Sequence, residues 1–380
     1  MATNKTTKGR ECTLFAAIEL SKSTWLLAVQ TVDAEQPSLH HVPGGDADAL
    51  VAQLERARDR QQKRTGQPHR IVVCYEAGYD GFWLWRLLEA RGITCNVIDA
   101  ASIEMSRRSR RPKTDRIDAT KLVRVLMAWS RGERDVCSMV RIPTCDEEDV
   151  RRSHRERSRL INEQTAHTNR IKGLLFAYGI RDFGCRCDRL VIGDLVTGDG
   201  RQLPVRLRAE IEREIARLKL IREQIAEVEK ERDRVATPCV ESEKKRLQLL
   251  AFRGIGPTLA AILTREVYYR SFDNRRQVAS YIGLAPSPHD SGQSERCHGI
   301  SKAGNSLVRG VMVEAAWLWL RHQPESQLSN WFNARTSGNA GRIRRIMIVA
   351  LARKLAVALW RYLETGLVPH GATLKETTAA

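Results

Sequence analysis

The chain has 380 residues, 42% hydrophobic and 28% charged, which is long enough for more than one core and too apolar for a disordered protein. Its 63 Lys+Arg against 45 Asp+Glu give a formal net charge of +18, the footprint of a nucleic-acid binder. No apolar run reaches the roughly 18–20 residues of a membrane span, and MATNKTTKGRE carries no apolar signal core, so membrane insertion is excluded and a cytoplasmic protein is expected.

After a polar tail (1–11), CTLFAAIEL and WLLAVQTV are β-prone runs separated by Ser21-Lys22-Ser23-Thr24, and a shorter run at 39–42 completes a strand meander. Residues 46–60 carry Leu50, Val51 and Leu54 at helical spacing. A Gly/Pro break then precedes HRIVVCYEA, which has the continuous apolar character of a buried strand. FWLWRLLEARG predicts a helix, ITCNVIDA a strand, and 119–130 a further helix. Three strands, helix, strand, helix, strand, helix is the order of a ribonuclease-H-like α/β domain, expected over 12–143.

Residues 147–175 are strongly basic with Leu160, Ile161, Ile171 and Leu174 spaced for a long helix. Between 207 and 228, Ile211, Ile215, Leu218, Ile221, Ile225 and Val228 recur at steps of three or four. We read 144–243 as a helical hairpin or coiled coil, available for homodimerisation and nucleic-acid binding; the same stripe could equally pack on its own domain. A mainly helical domain over 244–370 follows, and 371–380 reads as a flexible tail. In LQLLAFRGIGPTLAAIL, Gly254 and Gly256 match a helix-hairpin-helix, where a glycine turn lets backbone N–H groups approach a phosphate. A plain helix-turn-helix packing corner fits this motif equally well. SYIGLAPSPHDSGQSERCHGISKAGNSLVRG reads as a polar loop too long for mere linkage. The nine cysteines are scattered, several inside apolar runs, and read as reduced core residues; Cys185-x-Cys187 lacks a second pair to complete a zinc set.

The chemistry-bearing positions are acidic. Glu19 ends the first apolar strand, Glu76 ends IVVCYEA, and Asp115 and Asp118 open a helix three residues apart, on one helix face. An acid at a strand end after an apolar run is poorly explained as a solubility device, although Asp115 and Asp118 alone would also suit the dipole of a helix N-terminus. Mg²⁺ (or Mn²⁺) takes hard oxygen ligands, and a pair of such ions stabilises both the attacking and the leaving oxygen of a phosphoryl displacement. Arg107, Arg108, Arg110, Arg111 and Lys113 crowd around these acids and would hold the backbone of double-stranded DNA.

These motifs resemble the IS110 family of bacterial insertion-sequence transposases, the DEDD or bridge-RNA-guided recombinases. The likeness runs through AAIELSKSTWLLAV, VCYEAGYDGFWLWRLL, KTDRIDATKL, LLAFRGIGPTLAAIL and GLAPSPHDSGQSERCHGISKAGN, nearly the whole chain. It implies that Glu19, Glu76, Asp115 and Asp118 form the metal tetrad of a RuvC-like domain. Glu19 stands where the family's first acid is usually aspartate, one methylene shorter. It also implies that Ser291 is a nucleophile that forms a phosphoserine with DNA, that a structured noncoding guide RNA pairs with target and donor DNA, and that dimers assemble to a tetramer near the bacterial nucleoid. The residues alone leave Ser287, Ser294 and Ser301 as rival nucleophiles and His289 and His298 as acid/base or DNA contacts, with Arg296, Lys302 and Arg309 as phosphate contacts. A metal-dependent RuvC-like endonuclease or junction resolvase using water as nucleophile would need the same tetrad. An architectural nucleic-acid-binding protein would need none of it.

Overall fold

The computed structural model describes residues 12–103, 114–182, 187–234, 240–291, 294–302, 304–337 and 341–375. Residues 1–142 and 143–380 form two compact units.

The first unit holds β1 (Cys12–Glu19), β2 (Thr24–Thr31), β3 (Ser38–Pro43), α1 (Ala47–Thr65), β4 (His69–Glu76), α2 (Trp83–Ala90), β5 (Thr94–Ile98) and α3 (Asp115–Ser130). The strands form one sheet in the order β3-β2-β1-β4-β5, antiparallel across β1–β2–β3 and parallel across β1–β4–β5. Tight turns suffice for the meander, whereas each parallel neighbour requires a crossover, and α1 and α2 supply it. Side-chain alternation sends Leu14, Ala16 and Ile18 to the face covered by α1 and α2, and Phe15 and Ala17 to the face covered by α3. Local signals set the helix ends. Asp46 Oδ1 accepts from the Ala49 N–H at 2.9 Å to start α1, and Gly66 ends it with φ 68°.

The second unit contains α4 (Cys145–Asp149), α5 (Arg152–Ala177), α6 (Val205–Arg234), α7 (Val240–Leu250), α8 (Pro257–Glu266), α9 (Arg275–Tyr281), β6 (Pro286–Ser291), β7 (Ser294–Ile300), α10 (Ser306–His322), α11 (Gln327–Thr336) and α12 (Arg342–Thr365). α5 and α6 pack as an antiparallel hairpin. Their ion pairs run in opposite directions along the two helices: Arg157–Glu229 at 2.5 Å, His167–Glu214 at 2.6 Å, Arg170–Glu210 at 2.6 Å. The stripe Ile211, Ile215, Leu218, Ile221, Ile225, Val228 is buried within this unit, beside Ile171, Leu175 and Leu160. An apolar seam occupied inside its own chain is not available to a second copy, so the basis for self-association through this stripe is lost.

Apart from this hairpin, a helical core of the unit forms on Phe252, Leu263, Tyr268, Met312, Trp319 and Leu355. The helical segment expected as a separate region at 144–243 belongs to the same compact unit as this core. Two further differences from the sequence reading are local. The polar segment read as a loop pairs as the hairpin β6–β7, with Asp290 opposite Glu295 and His289 opposite Arg296. Its strands are rich in Pro, Ser and charge, so the pairing is carried by the backbone, and apolar periodicity could not announce it. Residues 372–375, read as part of a flexible tail, are tied down: Thr373 N–H donates to Gln323 Oε1 at 2.8 Å, and Lys375 Nζ donates to the carbonyls of Leu250 and Ile255 at 2.6 and 3.2 Å. Cys74, Cys95, Cys137 and Cys187 are buried free thiols, as a reduced core requires, whereas Cys145 is exposed. No helix among the described residues is long and apolar enough to cross a membrane.

Candidate active site

β1 and β4 are parallel neighbours with Ile18 opposite Tyr75, so Glu19 and Glu76 follow at the same carboxyl edge of the sheet. Adjacent strands lie about 4.8 Å apart. Alternation decides which face they take. Glu19 has the parity of Phe15 and Ala17, and Glu76 that of Val72 and Cys74, all on the α3 side. Both glutamates are half-buried. α3 packs on that face through Ala119, Leu122, Val123 and Leu126, and the Cys74 thiol reaches the Leu122 carbonyl at 3.7 Å. Asp115, exposed, and Asp118, half-buried, form the first turn of α3. Thr114 starts that turn, its Oγ1 accepting from the Ile117 N–H at 3.4 Å.

The four acids thus lie on one face of the first unit, carried by two strand ends and one helix start. Among the described residues no three His, Cys, Asp or Glu side chains stand close enough to hold a metal ion as they are, so ligation would require these carboxylates to draw together. Their chemistry suits a hard cation, since every donor is carboxylate oxygen. Arg107, Arg108, Arg110, Arg111 and Lys113 lie outside the described residues.

In the second unit Ser291 is the last residue of β6, paired in register with Ser294 at the far end of the hairpin. At the base, the Ser301 N–H donates to the Ala285 carbonyl at 2.9 Å. The turn that follows is built for close approach. Lys302, exposed, takes φ 55°, and its carbonyl accepts from Arg309 Nη1 at 3.0 Å, so Arg309 helps to hold the turn. Gly304 has φ +87°, and a Cβ there would stand 2.2 Å from the Tyr281 carbonyl oxygen. We predict that Gly304→Ala destabilises the second unit by about 2–5 kcal/mol, the sum of a left-handed backbone penalty and an overpacking penalty, measured by denaturant unfolding. Asn305 caps α10, Oδ1 accepting from Leu307 and Val308 N–H.

Asn305 also reaches a group the sequence did not single out. Its Nδ2 donates to Glu266 Oε2 at 3.1 Å, and the same carboxylate accepts from His154 Nε2 at 2.7 Å and from Arg155 Nε and Nη2 at 2.7 and 3.0 Å. Glu266 is 2% exposed. Burial opposes its ionisation, but the hydrogen bonds from His154 and Arg155 outweigh burial and hold its pKa at about 2. Burial pushes His154 below its ordinary value, and its buried Nδ1 has no hydrogen-bond partner to take a proton's N–H, so the neutral imidazole donates from Nε2. The Tyr281 hydroxyl donates to the Glu266 carbonyl at 3.0 Å. One buried carboxylate therefore ties α5 to the base of the Ser291 hairpin. The available signal was the one that exposed Glu19 and Glu76, an acid ending an apolar run, here AAILTRE.

The two glycines of the expected helix-hairpin-helix differ in setting. Gly254 has φ +88°, and a Cβ there would meet His322 Cβ at 3.0 Å and the Leu318 carbonyl oxygen at 3.2 Å, so packing against α10 accounts for it. Gly256 starts α8 with open space where its Cβ would be.

A family model described as "Transposase IS116/IS110/IS902 family" matches residues 247–329, and a DEDD transposase model of IS110 elements matches residues 45–180. A mixed α/β domain with acids at its sheet edge and a helical second unit, both matched in this way, define a transposase, an enzyme that cuts and moves DNA. The chain is 47% identical over 374 residues to y4rJ of Sinorhizobium fredii (strain NBRC 101917 / NGR234), which carries the name transposase; the match covers 95% of this chain and 94% of the relative. It is 28% identical over 299 residues to the transposase for insertion sequence element IS1111A of Coxiella burnetii (strain RSA 493 / Nine Mile phase I), covering 77% of each. The chain belongs to the IS116/IS110/IS902 family of insertion-sequence transposases.

Proposed function

We propose that this transposase excises and inserts its element through a phosphoserine intermediate formed at Ser291. Glu19, Glu76, Asp115 and Asp118 would hold Mg²⁺ or Mn²⁺ as an all-oxygen ligand set. The bound cation supplies Lewis-acid stabilisation of charge on the attacked phosphate and lowers the pKa of a coordinated hydroxyl. The observation that carries this reading is the placement of Glu19 and Glu76 on the sheet face where the Asp115–Asp118 turn begins.

In the first half of the reaction the Ser291 hydroxyl gives up its proton and its oxygen attacks a DNA phosphorus. One bridging P–O bond breaks, and the leaving oxygen of the cut strand takes a proton. In the second half a hydroxyl end of another strand attacks the phosphoserine, the Oγ–P bond breaks, and Ser291 regains its proton. Bond count is conserved, so strands can be exchanged without an external energy source. Arg107, Arg108, Arg110, Arg111 and Lys113, with Gly256, Arg296 and Lys302, supply candidate backbone contacts for DNA and for a structured guide RNA that would leave sequence choice to base pairing. Pairing of two DNA duplexes suits a dimer that assembles to a tetramer, and the two carboxylate–serine sets would then meet within or across subunits.

The test is a denaturing-gel assay for a covalent protein–DNA adduct, using the purified protein with its co-purifying RNA, Mg²⁺ and labelled DNA spanning an element end. We expect an adduct that is absent in Ser291→Ala. Cleavage without an adduct, unchanged in Ser291→Ala, would replace this reading with a hydrolytic endonuclease that uses water.

A further inference from the structure

The α10–α12 part of the second unit presents a surface that the chemistry above does not use. From residue 327 to residue 361 the chain carries seven Lys and Arg and no Asp or Glu. α10 adds one acid, Glu314, and two arginines, Arg309 and Arg321. Among the described residues no carboxylate forms an ion pair with Arg335, Arg344, Arg345 or Lys354. Most of these charges are exposed, so the face is cationic and uncompensated.

Several of the cations rest on aromatic rings. The Arg344 guanidinium carbon lies 5.5 Å from the centre of the Trp317 ring and 6.0 Å from that of Phe332, and the two rings meet edge to face at 6.1 Å. One residue earlier on α11, Trp331 has Lys354 Nζ 4.7 Å from its ring centre and the Arg335 guanidinium at 5.5 Å. Cation–π contacts thus tie α10, α11 and α12 together at the surface. Packing alone does not account for the face, because apolar surface stays open beside these contacts. Trp317 is 39% exposed, and Ile343 and Ile346 in the first turn of α12 are 41% and 56% exposed. Ile343, Met347 and Lys354 follow at steps of four and seven, so one stripe of α12 leads from the open isoleucines to Lys354 and Trp331. A single exposed isoleucine needs no explanation, but an apolar stripe interleaved with unpaired cations suits a partner that is both flat and apolar and strongly anionic.

We propose that this face of α10–α12 binds a single strand of DNA, with unpaired bases lying on Trp317 and Ile346 and phosphates meeting Arg342, Arg344 and Arg345. Charge complementarity selects a polyanion. The open apolar surface selects an unpaired strand, since a duplex turns phosphate and sugar outwards and keeps its base faces stacked. DNA is the strand a transposase opens when it cuts. The inference rests on the transposase class alone and does not depend on serine chemistry.

The experiment follows fluorescence anisotropy of the full-length protein with labelled oligothymidylate, a mixed-sequence duplex of the same length, and oligouridylate. Trp317→Ala should weaken oligothymidylate binding by about 5- to 150-fold and duplex binding by no more than about two-fold. Arg344→Gln and Arg345→Gln should each lower the slope of log K against log[salt] for the single strand by about 0.7. Equal losses on single strand and duplex would mean that the face grips backbone only and would overturn the assignment to an unpaired strand. Oligouridylate bound more tightly than oligothymidylate, with the same dependence on Trp317, would replace DNA by RNA as the occupant. Single-strand affinity unchanged in all three variants would assign the face to a protein or to a second copy of this chain and end the proposal. Should Trp317→Ala not fold, Ile346→Ser at an exposed position reads the same base contact, and Arg345→Gln still reads the charge.

Discussion

Asp118→Ala should lower DNA strand cleavage by about 10³-fold or more while leaving DNA affinity within a few-fold of wild type. The argument starts from position. Asp118 lies in the first turn of α3, on the sheet face that Glu19 and Glu76 share, and it is half-buried where Asp115 is exposed. Lewis-acid stabilisation at a phosphoryl oxygen contributes several kcal/mol, and each ~1.4 kcal/mol is a factor of ten in rate. The structural cost of the same change is small, because losing one acid from a helix start costs about 0.3–1 kcal/mol. Cleavage and binding should therefore separate, and a gel-shift beside a cleavage time course measures both. Cleavage near the wild-type rate in Asp118→Ala would remove the carboxylate site from the mechanism; cleavage and binding lost together would point to misfolding, which Asp118→Asn, keeping side-chain size, would expose.

Glu266→Ala should be the most damaging single change to the second unit, about 3–5 kcal/mol, because it leaves Arg155 and Asn305 unpaired and His154 without an acceptor. At the usual scaling for a unit of this size the melting temperature should fall by about 6–20 °C, read by calorimetry. The same carboxylate sets a pH dependence. Its folded pKa of about 2 lies below the ordinary 4.5, so its stabilisation, on the order of 3 kcal/mol, is complete above pH 4.5 and disappears as pH falls towards 2. His154 acts in the same direction. Its folded value is depressed, so the unfolded chain takes up the proton first and stability already declines below pH 6.5. In Glu266→Gln the loss between pH 4.5 and 2 should flatten; a variant as steep as wild type over that interval would show that Glu266 is not the titrating group.

Much of the first unit was legible. Its strands are continuous apolar runs, its crossovers carry helical spacing, and the parity of Glu19 and Glu76 follows from counting along each strand. The second unit was less so, for specific reasons. Periodicity in α6 revealed a helix and its apolar stripe, but nothing in a stripe states whether its partner is the same chain or another copy. The β6–β7 pairing depends on backbone hydrogen bonds between polar strands. Gly254 looked like a phosphate-approach glycine because the sequence does not show that α10 comes to lie against it. Glu266 meets His154 across 112 residues, a distance over which local pattern is silent.

That long connection says something about how such enzymes can diverge. Arg151, His154 and Arg155 fasten the root of the α5–α6 arm to residues 265 and 266 at the end of α8. The chain between these anchors is already a closed loop, and doubling a loop adds only about 0.6 kcal/mol of closure entropy. The arm can therefore lengthen or shorten by whole helical repeats while its root stays unchanged, so its reach can evolve separately from the core that carries the serine hairpin.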